Sequence, residues 1–572
     1  MITRPHLTLG RMVALTLIGL MTGSIASMAT IGFIEVVGYL NQLLFVDFNQ
    51  RATLNAAELR WVTIGVLTIG GLVVGLLLRY GAENSNLGPT DVIQAAQLRE
   101  ECPSPVAGAC STLAAILSLG CGAPVGQYGP VVYLGSLVGQ ITNRLPLPIR
   151  DIRNIAIACG VAAAISTAFN APIAALIFTH EVILRHYSLR MFAAVTVASA
   201  SGYLIDNTVF DSPTLFLVEL STDIQAPEFL LFAIEGIACG ILAVIFMRLL
   251  EFFGRTAQRL NIAAPLKPML AGFILSLVVL QIPEVLGAGQ DIFRQTFISD
   301  SFSASFLLSI LVAKLIVTTL CIGFGFAGGV IFPAMLIGVL FGALFALSVP
   351  PLFLAEYSDV AVYAICAMAA LMSPIIGAPM TAVLLVFELT RNYEITIAAM
   401  ITIVFANFVS HHWYGRSLYD RQLLARGVDL SRGREPAYLM RHKVGEYIGQ
   451  TLPVIEHSQT VDDLNELMAQ SKTPCAVITD HEGIYQGQIF QHQLLEIDSN
   501  RTLTQIEILP GKSFTEETSI WQAMKVMRNY LGEAIPVIEK DSGRYLGSIP
   551  EATIIGAYLD AGDELRREEY EA

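Results

Sequence analysis

Two glycine-rich segments of this 572-residue chain could bind an anion through backbone groups alone. They are Gly126-Gln-Tyr-Gly-Pro130 and Gly325-Phe-Ala-Gly-Gly329, and each leads into an apolar run. A helix that begins after such a segment has unpaired N–H groups in its first turn, and its aligned peptide dipoles place about half a positive charge there. Several such ends directed at one point bind an anion, yet weakly enough to release it during conduction. Close packing of helices is the alternative explanation for these glycines.

Both segments belong to an internal repeat. The glycines at 126, 129 and 139 recur at 325, 328 and 338, 199 residues later. The segment from Ala171 to Glu181 recurs from Ala378 to Glu388, 207 residues later. Because two motifs recur in one order at nearly one separation, the sequence predicts a duplicated membrane domain, and the duplication favours the anion site over simple packing.

The elements that carry these motifs are predicted to be membrane helices. Hydrophobic residues make up 54% of the chain and charged residues 14%, whereas about a quarter of an ordinary soluble domain is charged. A spanning helix needs about 20 mostly apolar residues, while the glycine-interrupted stretches 120–139 and 323–347 are expected to be broken helices that line a cavity. The candidate spans are Met12–Val37, Trp61–Leu78, Ile152–Leu184, Phe229–Leu250, Phe306–Gly323, Val360–Leu389 and Ile395–Val409.

After Arg441 the composition becomes that of a soluble domain, and this tail has a repeat of its own. The pattern Gly-x-Tyr-x-Gly-x-Ile occurs at 483–489 and at 543–549, 60 residues apart. Each copy is predicted to be a hairpin of two strands, preceded by a segment with helical periodicity. The net charge of −14 argues against a nucleic-acid partner.

In order and spacing, four motifs of the membrane part resemble those of the CLC family of anion channels and transporters, and the tail resembles a pair of CBS modules. The motifs are Gly126 to Pro130, Phe169 to Pro172, Gly328 to Pro333, and Leu418-Tyr419. The resemblance implies an all-α polytopic membrane domain with an inverted-topology internal repeat and broken helices, followed by a small α/β CBS-pair domain in the cytosol. It divides the chain into a transmembrane domain at 1–425, a linker at 426–445 and a tandem CBS domain at 446–572.

The resemblance also assigns residues to the anion pathway. The backbone N–H groups of Val330 and Ile331 and the hydroxyl of Tyr419 would bind the central anion, with Gly126 and Gly129 at the start of the facing helix.

One further family contact, commonly a serine, has no unique counterpart in this chain. Alignment on Pro89 makes Asn86 the counterpart, a shift of one residue brings in Leu87, and Ser85 is the third candidate. Selectivity among anions therefore stays open.

Two positions depart from the family where mechanism is concerned. Tyr128 replaces a glutamate that competes with the anion and carries a proton, and an ordinary tyrosine is only about 0.1% ionised at pH 7. Tyr128 is therefore predicted to gate the pathway or to donate a hydrogen bond, not to act as a carboxylate.

Val182 replaces the second proton-carrying glutamate. Glu181 either carries protons in its place or bonds a broken helix end, and its repeat mate Glu388 favours the structural role.

Other motifs are weaker. The segment from Gly323 to Gly328 spells a dinucleotide-binding pattern, but no soluble strand precedes it and no acidic residue follows about 20 positions later. Neither His411-His412 nor the eight scattered cysteines predict a metal site.

The tail has no nucleophile with a base beside it, so an enzyme is not expected. Glu551 and Thr553 are the candidates for binding an adenine nucleotide, and no cofactor is required.

The sequence thus predicts uncoupled permeation of a small monovalent anion, with chloride as the default, through a homodimer with one pathway per subunit. The chain is expected in the lipid bilayer of a prokaryotic plasma membrane, with both termini in the cytosol and no cleavable signal. A proton-coupled exchanger with a substitute acid is the first alternative. A CBS-regulated divalent-cation channel is the second, and it would need carboxylates that converge on a pore.

Overall fold

A computed structural model describes most of the chain, which divides into two compact units, Met1–Gly427 and Val428–Ala572. The two units divide within two residues of residue 426, where the predicted linker begins. Residues 434–441 of that predicted linker form a helix of the second unit. The described residues are 5–44, 46, 56–81, 87–98, 104–144, 152–187, 189–210, 224–298, 302–353, 357–449, 452–494, 497–506, 508, 511–528, 530 and 534–566.

The first unit is helical throughout its described part, and six of its helical segments are long and apolar enough to cross a membrane. Helices satisfy their own backbone hydrogen bonds, which a bilayer interior requires. In the first half the helices are α1 (Pro5–Leu43), α2 (Ala56–Gly81), α3 (Pro89–Leu98), α4 (Pro105–Gly120), α5 (Tyr128–Asn143), α6 (Arg153–Phe169), α7 (Pro172–Phe178) and α8 (Leu189–Ile205). In the second half they are α9 (Glu228–Arg259), α10 (Leu266–Val279), α11 (Gln290–Ile298), α12 (Ala304–Gly323), α13 (Ile331–Ser348), α14 (Pro350–Phe353), α15 (Val360–Ile376), α16 (Pro379–Thr390), α17 (Tyr393–Trp413) and α18 (Leu418–Ala425).

Two of the predicted spans are wrong as continuous helices. The run Ile152–Leu184 breaks at Asn170 and the run Val360–Leu389 breaks at Gly377, whose φ angles are +54° and +74°. Such left-handed residues commonly end helices. A non-helical alanine and a proline follow each break, and the proline starts the next helix.

The duplication is confirmed, but the register of its first motif is wrong by four residues. Gly126 and Gly329 form an antiparallel bridge, with N···O distances of 2.8 and 2.6 Å. The helices behind them begin at Tyr128 and Ile331, so the true separation is 203 residues. The glycines at 135 and 139 then match those at 338 and 342. Glycines spaced about one helical turn apart align almost equally well in either register, which is why the sequence alone selected the shorter one.

One extra residue distinguishes the halves. Glu181 and Glu388 are 207 residues apart, yet the left-handed residues that end their helices, Arg185 and Arg391, are 206 apart. The first half accommodates the extra residue in a π-helical turn at Thr179–Leu184. Such turns are inserted into α-helices at the cost of one locally widened turn.

The second unit contains two copies of one small α/β motif, which confirms the predicted hairpins. In each sheet the first strand is parallel to the second, and the second and third form an antiparallel hairpin. The copies face each other: Tyr485 N donates to Gly543 O, and Tyr545 N donates to Gly483 O, both at 3.0 Å. The elements are α19 (Arg434–Arg441), β1 (Val454–Glu456), α20 (Val461–Ser471), β2 (Cys475–Thr479), β3 (Tyr485–Phe490), β4 (Phe514–Thr515), α21 (Ile520–Met527), β5 (Ala534–Ile538), β6 (Tyr545–Pro550) and α22 (Glu551–Arg566).

Candidate anion-binding site

Three helix beginnings meet at the glycines of the first motif. A Cβ atom built on Gly329 would lie 2.6 Å from the N atom of Gly129. One built on Gly129 would lie 2.7 Å from Gly329 Cα and 3.7 Å from Cδ of Pro89, the first residue of α3. Only glycine permits so close an approach. Close packing therefore does explain these glycines, and this packing also brings the beginnings of α3, α5 and α13 together.

The electrostatic character of this junction comes from the backbone. Residues 121–143 and 324–349 contain no lysine or arginine. Val330 and Ile331 lie at the beginning of α13 and are buried. Within the described structure their N–H groups donate no backbone hydrogen bond, as expected for the first turn of a helix. Converging positive helix ends with free N–H groups at a buried junction are the arrangement that binds a small anion.

Tyr128 is the first residue of α5, and its side chain is fully buried. Its ring stacks on that of Phe169, with 3.6 Å between the centroids, and lies 5.9 Å from the ring of Phe332. Its hydroxyl makes no hydrogen bond of good geometry with the described residues, although the side chain of Gln127 lies near it. An aromatic ring, rather than a carboxyl group, thus occupies the start of α5.

Tyr419 is the second residue of α18 and is also buried, with a hydroxyl that has no partner among the described residues. Contacts to other elements hold α18 in place. Thr90 of α3 donates a 2.6 Å hydrogen bond to Gln422, and Arg426 lies 2.9 Å from Asp91 of α3. The same helix that contributes Pro89 to the glycine junction therefore also positions the helix of Tyr419.

A second ion pair joins α18 to the first half of the membrane domain. Arg185, at the end of the π-helical turn, lies 2.7 Å from Asp420. The hydroxyl of Ser417 accepts from the Asp420 N–H group and caps α18. Serine is a common N-cap because its oxygen replaces a missing helical acceptor.

Glu181 and Glu388 cap each other's broken helices. Both oxygens of Glu388 accept bonds at the start of α7, from the N–H groups of Ile173 and Ala174 at 2.8 and 2.7 Å. Glu181 accepts at the start of α16, from the N–H groups of Met380 and Thr381 at 3.0 and 2.9 Å, and from the Thr381 hydroxyl at 2.7 Å. A carboxylate at a helix N-terminus satisfies free N–H groups and the helix dipole together. This geometry matches the structural role that the repeat favoured for the pair, while a proton-carrying role of Glu181 stays a prediction.

Val182 is buried next to Glu181. Both residues line a cavity of about 390 Å³, between the π-helical turn, the end of α15 at Ile376 and the start of α18. The wall also includes His180, Arg185, Tyr187, Gly377, Ser417 and Asp420.

Sequence reasoning missed Lys314, which supports the segment before α5. Its fully buried ammonium group donates to the carbonyls of Val285 and Gly287 at 2.9 and 2.7 Å, and Gly287 N donates to Gly122 O at 2.8 Å. A single lysine inside the apolar run Phe306–Gly323 was the available signal, because charges inside membrane helices rarely lack a role. Phe169 was part of a predicted motif, but nothing in the sequence indicated that its ring stacks on that of Tyr128.

Ser85 and Asn86 lie outside the described residues, so the third family contact stays a prediction. Leu87, the remaining candidate, is buried, and its N–H group donates to Ser111 Oγ at 3.0 Å. Within the described ranges no group of three or more His, Cys, Asp or Glu residues is placed to hold a metal ion.

In the tail, Glu551 and Thr553 lie in the first turn of α22, directly after β6. Glu551 is exposed and Thr553 is half-buried. The repeated tyrosines, Tyr485 and Tyr545, pack in the apolar core between the two sheets, and burial raises the pKa of both phenols. These two tyrosines are neutral structural residues at physiological pH.

The fold and the junction define an inverted-repeat membrane protein with broken helices, and comparison with known proteins identifies its family. The model of the voltage gated chloride channel family matches residues 70–411, and that of the CBS domain matches residues 510–560. The chain belongs to the voltage-gated chloride channel (CLC) family, whose members are channels and transporters, and it is an integral membrane protein.

Named relatives agree with this assignment. The voltage-gated ClC-type chloride channel ClcB of Escherichia coli is 27% identical over 409 residues, 70% of this chain and 97% of that one. The fold is similar to that of a slow cyanobacterial Cl⁻/H⁺ antiporter, with a TM-score of 0.64 and 23% identity over 73% of this chain and 97% of that one. It is also similar to a eukaryotic CLC transporter, with a TM-score of 0.63 and 17% identity over 95% and 98% of the two chains.

Proposed function

We propose that this protein conducts chloride, or another small monovalent anion, passively and without coupling to protons. The observation that carries the proposal is the buried ring of Tyr128, stacked on Phe169 at the first position of α5. A coupled exchanger of this family needs a carboxylate there that competes with the anion and carries a proton. A phenol held in an aromatic stack supplies neither function.

The position of the second proton-carrying glutamate of the family, occupied here by Val182, supports the same proposal. Val182 has no titratable group, and both oxygens of its neighbour Glu181 are engaged by the N–H groups of α16. These bonds hold the start of α16 in place, which is a structural role rather than that of a proton carrier. An exchanger that uses Glu181 as a substitute acid is therefore the weaker alternative, and a divalent-cation channel is weaker still.

The remaining parts of the proposal rest on the resemblance of the chain to its family. The protein acts as a homodimer with one pathway in each subunit, in a prokaryotic plasma membrane. Both termini and the CBS pair lie in the cytosol.

The experiment that tests the proposal follows chloride and protons together. The purified full chain is reconstituted into chloride-loaded liposomes, a potassium ionophore is added, and chloride efflux and external pH are recorded. We expect chloride efflux without a proportional movement of protons. Proton uptake in a fixed ratio to chloride would overturn the uncoupled mechanism, and a lack of flux for chloride, nitrate and fluoride alike would overturn anion conduction.

A pair of variants makes the test sharper. Tyr128→Glu restores a carboxyl group at the start of α5. The double variant Tyr128→Glu with Val182→Glu restores both of the family's proton-carrying carboxyl groups. We expect the double variant to move measurably more protons per chloride than the unmodified protein. Tyr128→Gln serves as the matched control, because it has the size and polarity of glutamate without a proton to carry.

A further inference from the structure

Helix α18, which carries Tyr419, depends on polar bonds for its position. Of its eight residues only Leu418, Tyr419 and Leu423 are buried. Its start borders the cavity of about 390 Å³, so one side of the helix faces open space. Helices this short are marginal on their own and rely on contacts with the rest of the protein. The bonds that join α18 to its neighbours therefore decide where Tyr419 lies.

Three consecutive residues of α18 bond to three different elements. Asp420 pairs with Arg185 at the end of the π-helical turn, and Gln422 bonds to α3. Between them in sequence, Arg421 donates to Glu251 of α9 at 2.8 Å. Successive residues of a helix point about 100° apart, so the three bonds reach α18 from different directions. Together they fix the rotation of α18 about its own axis.

Glu251 is the acceptor that joins α18 to the second half of the membrane domain. One of its oxygens accepts from Arg421 and, at 2.6 Å, from the hydroxyl of Tyr414 at the end of α17. The other accepts from Arg255, one turn further along α9, at 2.9 Å. The guanidinium group of Arg421 also lies over the ring of Tyr414, 4.2 Å from its centroid. This carboxylate thus links α9, α17 and α18, whereas the π-helical turn and α3 belong to the first half.

The number of bonds distinguishes Glu251 from an ordinary surface ion pair. An isolated exposed pair contributes little to stability. The side chain of Glu251 is 26% exposed, and its carboxylate has three donors rather than one. Charge-assisted hydrogen bonds are the stronger kind, and several that share one acceptor hold their donors in a fixed arrangement.

We propose that Glu251 and Arg421 are positioning residues for anion binding, because they set where the hydroxyl of Tyr419 lies. Tyr419 precedes Arg421 by two residues, about 200° around the helix, so its ring points into the interior while Arg421 points out to Glu251. A rotation of α18 would move the Tyr419 hydroxyl, which has no partner among the described residues. The inference rests on the proposed role of Tyr419 in anion binding and applies to coupled and uncoupled transport alike.

Titration calorimetry of chloride binding to the purified full chain tests the proposal. We expect Glu251→Gln and Arg421→Gln each to weaken binding by about fivefold, as residues away from a ligand can do. These substitutions change the net charge in opposite directions, so a loss in both is not a simple charge effect. The double variant should bind no more weakly than either single variant, because both break the same link.

Arg255→Gln is the matched control for these variants. It removes another bond of Glu251 without touching α18, so the affinity for chloride should be unchanged. Unchanged affinity in Glu251→Gln, or an equal loss in Arg255→Gln, would overturn the proposal.

Tyr419→Phe separates the positioning role from a general loss of stability. In that background Glu251→Gln should have no further effect on chloride affinity, because the hydroxyl that it positions is absent. A further loss of affinity would show that Glu251 does not act through Tyr419.

Hydrogen exchange of the full chain without chloride gives an independent measurement. We expect the backbone amides of residues 418–425 to exchange faster in Glu251→Gln and in Arg421→Gln than in the unmodified protein, and at the same rate in Arg255→Gln. Equal exchange in all four proteins would contradict the proposal. Because no anion is present, failure here is distinct from failure of the proposed channel activity, which the flux assay measures.

Discussion

At the start of α5, Tyr128 keeps a hydroxyl in the protein interior without a well-formed hydrogen bond. Most buried polar groups in folded proteins are paired, and the exceptions commonly belong to binding sites. Tyr419 has the same property at the start of α18. Both residues were predicted from motifs, since glycine and proline mark where helices begin. The stack on Phe169 was not predictable, because a contact across 41 positions leaves no trace in local spacing.

Two substitutions separate the ring of Tyr128 from its hydroxyl. Tyr128→Phe keeps the stack, so we expect an unchanged melting temperature and a loss of the heat of chloride binding in calorimetry. Tyr128→Ala removes the ring and should destabilise the fold by about 3–5 kcal/mol, as in other core aromatics, while chloride efflux rises. Unchanged chloride binding in Tyr128→Phe would show that the hydroxyl does not contact the anion.

At the scale of elements, the broken helices depend on one another for their caps. The repeat predicted that Glu181 and Glu388 share a role, because both follow the same alanine–proline start by the same distance. It did not predict that each glutamate caps the helix of the other half, since that pairing exists only once the two halves are antiparallel. The π-helical turn was also beyond the sequence, because one inserted residue between two apolar runs changes no recognisable pattern.

Glu181→Gln and Glu388→Gln each replace one accepting oxygen with a donor that faces an N–H group. We expect each to destabilise the protein by about 1–3 kcal/mol, with the larger effect for Glu181 because the Thr381 hydroxyl also bonds to it. Thermal unfolding of both variants in the same detergent measures this difference. A melting temperature unaffected by either substitution would contradict the capping role.

Gly329→Ala tests the junction of the helix beginnings. The new methyl group would lie 2.6 Å from Gly129 N, so the two helices must separate. We expect loss of chloride flux and a lower melting temperature. The matched control is Gly254→Ala in α9, where no atom lies within 4 Å of the new Cβ. There alanine should be neutral or stabilise the helix by up to about 1 kcal/mol, and flux should be unchanged.

At the scale of the whole molecule, composition and repeats were sufficient for the architecture. Apolar content indicated the bilayer, and the Gly-x-Tyr-x-Gly-x-Ile pattern located both hairpins of the tail. The exact register of the membrane repeat could be determined only from the structure, because its glycines recur within each helix as well as between the two halves. The buried Lys314 was missed for a different reason. A single charge in a long apolar run does not disturb the average hydropathy of that run, although the charge itself was visible in the sequence.

The CBS pair gives a prediction at this scale. If Glu551 and Thr553 bind an adenine nucleotide, then ATP, ADP or AMP should raise the melting temperature of the full chain. A ligand at 100 times its Kd stabilises a protein by about 2.7 kcal/mol, and Glu551→Ala should reduce that shift. If no nucleotide shifts the melting temperature, nucleotide sensing is excluded for this tail.

The bridge between Gly126 and Gly329 limits how the protein can move. Its two short backbone hydrogen bonds join the halves where they are buried and tightly packed, and each bond left unmade there costs about 1–3 kcal/mol. A transport cycle that moved the halves apart would have to break both bonds at every turnover, whereas rotation of a single side chain breaks no backbone hydrogen bond. The rate at which ions pass should therefore be set by side-chain rotamers, and it should depend only weakly on the viscosity and thickness of the surrounding lipid.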